Sequence, residues 1–263
     1  MANMKEKIKK NTLNLLERYP RVAFIHVPKC AGVSVYSSIY AALYPSFFKA
    51  TPLTEYIDLN ASKKCSDLLD IDMMRAREVV LVNHLDNPFK RFVTGHCHAN
   101  PKVVAEYCDR WKFVTVLRDP IDRFISEYVY NRFKKSDWVK IDSDIEQYLE
   151  SDAAKIKALT IAKYFSGGEA SNLLQTPKEV VFEGAISNLS KFESVGFVDD
   201  LENWNMRLSK RLGKKIPYES RNASPNNEMF EKIKNSPLLY REISKICALD
   251  LEIYNECRER FSQ

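Results

Sequence analysis

One short segment contains a lysine, a glycine and a serine. The types of these three residues and their spacing suit phosphate binding. Lys29, Gly32 and Ser34 lie between an apolar run at residues 22–27 and an amphipathic run at residues 35–43. The pattern predicts a buried strand, a short loop and a helix. The N–H groups of a helix start, the helix dipole and a lysine ammonium all favour a bound phosphate. This is not the nucleotide-triphosphate loop G-x-x-x-x-G-K-[ST], because the lysine precedes the glycine.

A second strand–turn–helix pattern carries an arginine and a serine. Residues 113–117 are a β-branched apolar run, and Asp119 before Pro120 is a helix-start signal. Arg118 therefore leaves the carboxyl end of a strand, where α/β sheets bind ligands, and Ser126 lies two turns into the next helix. A guanidinium offers a planar fork of donors that suits phosphate oxygens. This segment predicts a second phosphate contact.

Two of the four histidines stand together between these segments. Residues 92–98 predict a strand that ends in Gly-His-x-His, which contains His96 and His98. Imidazole titrates near neutral pH, so either histidine can act as a general base. The alternatives are a structural role and a zinc site, but no further ligand cluster accompanies the pair. His26 is expected to brace the first loop, and His84 has no motif around it.

The two phosphate-type segments together resemble those of one enzyme family. Residues 26–34, His-Val-Pro-Lys-Cys-Ala-Gly-Val-Ser, are similar to the 5′-phosphosulfate loop His-(Ile/Val)-Pro-Lys-Thr-Gly-Gly-Thr-Ser of the carbohydrate 2-O-sulfotransferase-like group. Residues 115–128 resemble that family's 3′-phosphate segment, (Val/Thr)-x-Leu-Arg-Asp-Pro-x-x-Arg-x-x-Ser-x-Tyr. Each motif alone is common, but both in the family's order are specific. The resemblance covers roughly residues 21–225.

This resemblance implies a sulfotransferase that uses 3′-phosphoadenosine 5′-phosphosulfate (PAPS). The enzyme would move the sulfuryl group to a hydroxyl acceptor, for which the family favours a carbohydrate or glycolipid, and would leave adenosine 3′,5′-bisphosphate. No metal is expected. Lys29 would stabilise the leaving phosphate, and Arg118 and Ser126 would hold the 3′-phosphate. His96 matches the family's candidate base, and His98 is the second choice.

The whole loop after the first strand is expected to bind the 5′-phosphosulfate. Its residues are Pro28, Lys29, Cys30, Ala31, Gly32, Val33 and Ser34. Cys30, Ala31 and Val33 replace a threonine, a glycine and a threonine of the family pattern, so two hydroxyl donors are lost and the backbone is more restricted. Cys30, at a helix start near a lysine, is expected to have a lowered pKa and to be prone to oxidation. Arg221, in a polar loop, is a further candidate for the 3′-phosphate.

The remaining pattern predicts a single domain over residues 1–263. The resemblance implies a three-layer α/β fold with a mainly parallel sheet, of the P-loop-like sulfotransferase type. Further elements are predicted as helices before residue 20, over 142–165, 178–189 and 200–212, a strand at 192–198 and a helix pair in the tail at 226–263. No internal repeat, low-complexity tract or linker divides the chain.

Composition and charge fit a globular protein that handles an anionic ligand. Hydrophobic residues make up 45% and charged residues 29% of the chain, and the net charge of +5 suits an anionic cofactor without indicating nucleic acid. No apolar run approaches the roughly 18–20 residues of a membrane span, and no signal-peptide core is present. The six cysteines lack metal-type spacing, so reduced thiols and a cytoplasmic location are expected.

Two other functions stay open on the sequence. A P-loop kinase would also use a strand–loop–helix unit, but the chain lacks the Gly-Lys-Ser/Thr ending and a clear magnesium-binding carboxylate. A non-catalytic nucleotide-binding member of the fold would keep the same motifs with an altered loop. Within the sulfotransferase interpretation, a tyrosine or small-alcohol acceptor is compatible with the same motifs. No segment carries an acceptor signature or specifies an oligomeric state.

Overall fold

A parallel β-sheet carries the predicted site segments at the carboxyl ends of its strands. The computed structural model describes residues 2–168, 170–217 and 227–262. Within this part, the strands are β1 (Val22–Ile25), β2 (Thr54–Tyr56), β3 (Phe92–Gly95), β4 (Lys112–Leu117) and β5 (Ser194–Phe197). Their order is β2-β3-β1-β4-β5, and every neighbouring pair is parallel. The predicted α/β class with a mainly parallel sheet is confirmed.

Helices connect these strands and cover the sheet. They are α1 (Ala2–Leu16), α2 (Gly32–Leu43), α3 (Leu59–Leu69), α4 (Met73–Asp86), α5 (Pro101–Tyr107), α6 (Pro120–Phe133), α7 (Ile145–Glu150), α8 (Asp152–Ala158), α9 (Thr160–Phe165), α10 (Ala170–Leu173), α11 (Lys178–Leu189), α12 (Leu201–Leu212), α13 (Asn227–Lys234), α14 (Pro237–Ile246) and α15 (Ala248–Phe261). Short 3₁₀ helices are formed by Ser46–Ala50 and Val198–Asp200.

The side chains of β1 explain why the fold has three layers. Val22 and Phe24 belong to an apolar core shared with α2 and α12, whereas Ala23 and Ile25 belong to a core shared with α4, α9, α11 and α15. Alternate residues of a strand point to opposite faces of the sheet, so helices lie on both faces. All four residues of β1 are buried, as expected for an interior strand of a parallel sheet.

Helix α6 ties the sheet to a third apolar core at the end that carries the site segments. Its buried residues Ile121, Phe124 and Tyr128 pack with α7, α8, α13 and α14. One face of α6 is therefore held firmly by this core. The exposed residue Tyr130 lies on the part of the helix that the core leaves open.

Several elements differ from the sequence-based expectation. The helix predicted over 142–165 is broken into α7, α8 and α9, because the Ser151 hydroxyl accepts a hydrogen bond from the Ala154 N–H and starts a new helix. The tail contains α13, α14 and α15 instead of a helix pair. Helix α2 begins at Gly32, earlier than the predicted residue 35. The edge strand β2 and helices α3 to α5 were not predicted.

Candidate active site

The loop between β1 and α2 holds two non-glycine residues in left-handed backbone conformations. Lys29 has φ 67° and Ala31 has φ 53°, and such a conformation costs an L-residue about 1–2 kcal/mol. Ala31 is the N-cap residue of α2 and offers no side-chain acceptor. The first N–H groups of α2 are therefore left without a capping side chain, and the positive end of the helix dipole faces the loop. This arrangement can bind an anion.

The Lys29 ammonium lies against an aromatic ring and not against a carboxylate. Its Nζ is 4.2 Å from the centre of the Tyr130 ring on α6, which is a cation–π contact. Burial lowers the pKa of Lys29, the neighbouring Arg118 lowers it further, and Glu127 opposes both. Within the described residues this ammonium has no ion pair or hydrogen bond. It can therefore turn towards a bound anion without breaking a salt bridge.

Three more side-chain donors of the two predicted phosphate segments have no polar partner. Arg118 follows β4, and its charge acts on Lys29. Ser126 lies on α6 one turn before Tyr130, on the same face of that helix, and Ser34 lies in the first turns of α2. Across the described ranges, none of these three side chains has a hydrogen-bond or ion-pair partner. Because β1 and β4 are neighbours in the sheet, the fold brings together segments that are far apart in the sequence.

Cys30 is buried and differs from the reactive thiol that the sequence predicted. Its side chain is 1% exposed, and its thiol donates to the Pro28 carbonyl at 3.6 Å. Burial raises the pKa of Cys30 to about 12, although Arg123 and Arg118 act in the opposite direction. A protonated, enclosed thiol is a poor nucleophile, so the predicted low pKa and oxidation sensitivity are wrong. Val33, by contrast, is exposed.

The imidazole of His26 fills the space beside Gly32. A Cβ added to Gly32 would lie 1.8 Å from Nε2 of His26, so the position requires glycine while the imidazole is in place. The same ring packs on His96, with 4.1 Å between ring centres. Burial lowers the pKa of His26 to about 3, with a smaller contribution from His96, so the ring is neutral at physiological pH. His26 therefore braces the loop and connects it to the end of β3.

His96 has the hydrogen bonding that a general base needs. Its Nδ1 is 2.7 Å from the main-chain oxygen of His26, and a carbonyl only accepts, so Nδ1 donates and Nε2 carries the lone pair. Burial lowers the pKa of His96, the bond to His26 raises it, and Arg77 lowers it. The imidazole is therefore neutral near pH 7. His96 is partly buried as a residue, and the Nε2 of a neutral imidazole can accept a proton.

His98 is enclosed on the other side of the same turn. Its Nδ1 is 3.2 Å from Oε1 of Glu78 on α4, and its ring meets the Tyr164 ring edge-on at 5.5 Å. The residue is 7% exposed, and its Nε2 has no partner in the described part of the chain. This position favours a structural role for His98. The geometry favours His96 of the two predicted bases.

A buried charge cluster behind the loop was missed by the sequence analysis. Arg123 Nη1 is 2.5 Å from Oε2 of Glu127, and Lys157 Nζ is 2.8 Å from Oε1 of the same carboxylate. Burial raises the pKa of Glu127, but Arg123 and Lys157 outweigh it and bring the value to about 2. The carboxylate also acts on Lys29 and His96. An arginine and a glutamate four residues apart on α6 were the available sequence signal.

Some expectations lie outside these contacts. Arg221 falls outside the described residues. In the ranges that are described, no group of three or more His, Cys, Asp or Glu side chains could hold a metal ion. No helix within them has the length and apolar character needed to cross a membrane.

The chain is similar to known sulfotransferases in two comparisons. A family model described as the sulfotransferase family matches residues 12–255. No curated protein matches the chain. Among solved structures, the chain is similar to the mouse sulfotransferase SULT7A1 complexed with PAP, at 13% sequence identity and a TM-score of 0.39. That match covers 89% of this chain and 87% of the other.

Proposed function

The chain belongs to the sulfotransferase family and is a PAPS-dependent sulfotransferase, and we propose that its acceptor is a hydroxyl group of a carbohydrate. The support for this acceptor is the resemblance of residues 21–225 to carbohydrate 2-O-sulfotransferase-like enzymes. We also propose a cytoplasmic location, on the composition described above. All six cysteines are free thiols.

The observation that carries the proposed donor site is a set of side-chain donors without polar partners on the segments that follow the adjacent strands β1 and β4. Lys29, Ser34, Arg118 and Ser126 have no hydrogen-bond or ion-pair partner within the described residues. In the proposed complex, Lys29, Ser34 and the first N–H groups of α2 hold the 5′-phosphosulfate. Arg118 and Ser126 hold the 3′-phosphate, since a guanidinium and a hydroxyl both donate to phosphate oxygens.

The proposed transfer step assigns one role each to His96 and Lys29. Nε2 of His96 takes the proton of the acceptor hydroxyl as its oxygen attacks sulfur. The new bond joins the acceptor oxygen to sulfur, and the bond from sulfur to the bridging phosphate oxygen breaks. Lys29 stabilises the negative charge that the phosphate gains. The proton on His96 then passes to solvent, and adenosine 3′,5′-bisphosphate leaves.

Thermal stability with different nucleotides tests the donor site first. Wild type and Arg118→Ala would be melted with adenosine 3′,5′-bisphosphate, PAPS or ATP–Mg²⁺. At about 100 times the Kd, a ligand raises stability by roughly 2.7 kcal/mol, which corresponds to a Tm rise of about 5–10 °C for a chain of this size. We expect that rise for the first two ligands in the wild type only. Arg110→Ala, which changes a surface arginine on another loop, should behave as wild type.

An acceptor screen completes the test. Stabilisation by the bisphosphate is followed by transfer of labelled sulfate from PAPS to a panel of oligosaccharides, glycolipids, tyrosine peptides and small alcohols, with His96→Ala as the inactive control. Transfer to the carbohydrates supports the proposal. Transfer only to tyrosine peptides or small alcohols contradicts the proposed acceptor, and preferential stabilisation by ATP–Mg²⁺ contradicts the proposed donor.

A further inference from the structure

Arg77 is a buried cation that reaches the turn carrying His96. It lies on α4 and is 4% exposed. Its Nη1 donates to the main-chain oxygen of His96 at 2.8 Å and contacts the sulfur of Met74 at 3.7 Å. Within the described residues no carboxylate pairs with Arg77, and its Nε has no partner. Burial of an unpaired charge is costly, so an apolar side chain would serve better if the position were only for packing.

Helix α4 holds the turn from two successive residues. Arg77 binds the carbonyl of His96, and the next residue, Glu78, pairs with Nδ1 of His98. The imidazole of His96 is held separately, through its Nδ1 bond to the carbonyl of His26. His96 is therefore fixed at its main chain and at its ring. Loss of the Arg77 bond would release only the main-chain contact.

The charges that face His96 come from several elements. Burial is the largest influence on the pKa of His96 and lowers it, and the bond to His26 at the end of β1 raises it. Arg77 on α4 and Lys157 on α8 lower it, and Glu127 on α6 raises it. His26 is uncharged because burial holds its pKa at about 3. Lys157 and Glu127 pair with each other at 2.8 Å, so Arg77 is the charge in this group that no described carboxylate neutralises.

We infer that Arg77 is a positioning residue for sulfuryl transfer: it holds the turn of His96 through the His96 carbonyl and places an unpaired positive charge beside the imidazole. The inference rests on the proposed function, because the turn matters to the reaction only if His96 is the base. The bond fixes the main chain that carries the imidazole, and the His26 carbonyl fixes the ring. The charge opposes protonation of the ring, so the base stays in its neutral form to lower pH.

An NMR titration of the histidine side chains tests the coupling without any need for activity. The chain has four histidines, and the signal lost in His96→Gln identifies His96. Arg77→Met removes the charge and the hydrogen bond and keeps an apolar side chain in the buried position. We expect the pKa of His96 to rise in Arg77→Met. Lys64→Met is the control, because Lys64 is an exposed cation on the neighbouring helix α3 with no hydrogen bond or ion pair in the described part of the chain.

Kinetics test the effect on the reaction. Misplacement of a reacting group by about 1 Å can cost up to 10²-fold in rate, so we expect kcat of Arg77→Met to fall about 10–100-fold with a KM for PAPS within about twofold of wild type. The acid limb of the pH–rate profile should move to higher pH, because the base must be neutral and its pKa has risen. Arg77→Lys keeps the charge, so it should retain the wild-type acid limb while kcat falls.

The outcomes separate this inference from the proposed function. A His96 pKa in Arg77→Met equal to that in Lys64→Met would overturn the inference, and so would a wild-type kcat in Arg77→Met. Should Arg77→Met not fold, a shifted acid limb in Arg77→Lys would overturn it in its place. Failure of the proposed function has a different signature: the wild type would transfer no sulfate to carbohydrates, while the NMR shift in Arg77→Met would still be present.

Discussion

The two strand–helix units that form the candidate site start their helices in opposite ways. Helix α6 starts at Pro120 behind a capping carboxylate, because Oδ1 of Asp119 accepts hydrogen bonds from the N–H groups of Ile121 and Asp122 at 3.0 Å each. Helix α2 starts behind Ala31, whose left-handed backbone has no side-chain cap. The helices follow adjacent strands of one sheet. The start of α6 is thus capped by a side chain of the protein, and the start of α2 has no capping side chain.

Capping decides which groups each unit can offer to a phosphate. The N–H groups of α6 are used by Asp119, so that unit offers side chains, Arg118 and Ser126. The N–H groups of α2 are available, and Lys29 and Ser34 add to them. A carboxylate at the start of α6 also repels an anion there. In the proposed complex, the two phosphate ends of PAPS therefore meet two different kinds of donor.

Removal of the Lys29 charge should have the largest effect on activity. Lys29 carries the only full charge in the loop between β1 and α2, the helix that has no capping side chain. We expect Lys29→Met to lower kcat about 10²–10³-fold, the usual loss when a group that stabilises developing charge is removed. Steady-state kinetics with PAPS and the identified acceptor measure this. Lys49→Met is the matched control, since Lys49 also lies over a tyrosine ring, at 5.1 Å from the centre of Tyr40. A kcat within threefold of wild type for Lys29→Met would remove Lys29 from the mechanism.

A methyl group at Gly32 should destabilise the start of α2. Gly32→Ala places Cβ inside the His26 ring, and overpacking of this kind costs about 1–3 kcal/mol in the free energy of unfolding. Urea unfolding measures the loss. In a His26→Ala background the ring is gone, so the same substitution should cost less than about 1 kcal/mol.

Gly213→Ala is the control for this pair. Gly213 has φ 65° with nothing within 4 Å of an added Cβ. Backbone strain of about 1–2 kcal/mol, less the roughly 0.5–1 kcal/mol that alanine regains by a less flexible unfolded chain, gives its replacement a net cost of about 0.5 kcal/mol. That loss should be the same with and without His26. An equal loss for Gly32→Ala in both backgrounds would show that the His26 ring is not what requires glycine there.

Removal of the Asp119 carboxylate should leave α6, like α2, without a capping side chain at its start. We expect Asp119→Ala to lower the free energy of unfolding by about 0.5–2 kcal/mol, because two N–H groups lose their acceptor. The affinity for adenosine 3′,5′-bisphosphate should rise about two- to fivefold, since a carboxylate near the anion is removed. Chemical unfolding and isothermal titration calorimetry measure the two effects.

Asp58→Ala separates stability from binding in this experiment. Asp58 caps α3 through the N–H of Ala61 at 2.7 Å, so its loss should cost similar stability and leave the affinity unchanged. A fall in bisphosphate affinity in Asp119→Ala would mean that the Asp119 cap supports the phosphate site. The two helix starts would then differ in how they bind the bisphosphate through the position of their N–H groups, and not through the charge of Asp119.

Sequence patterns predicted the elements that depend on residues close together in the chain. The strand β4, the helix start at Asp119 and helix α11 follow from local periodicity and capping signals. Contacts between elements did not follow, because tertiary packing decides them: Tyr130 against Lys29 and Arg77 against the His96 turn are examples. The expectation for Cys30 failed for the same reason, since burial sets its pKa and a loop pattern does not reveal burial.

The smallest effect is expected for a substitution of Ala31, the N-cap residue of α2, which has a left-handed backbone and no capping side chain. The left-handed conformation costs an L-residue about 1–2 kcal/mol, and glycine avoids this cost. Glycine also makes the unfolded chain more flexible, which lowers stability by about 0.5–1 kcal/mol. Ala31→Gly should therefore raise the free energy of unfolding by about 0.5 kcal/mol. The affinity for the bisphosphate should stay within twofold, because the N–H groups keep their positions. Asp70→Gly, at another left-handed position with φ 51°, should leave affinity unchanged. A clear loss of affinity in Ala31→Gly alone would mean that alanine, by restricting the loop, holds the uncapped helix start ready for its ligand.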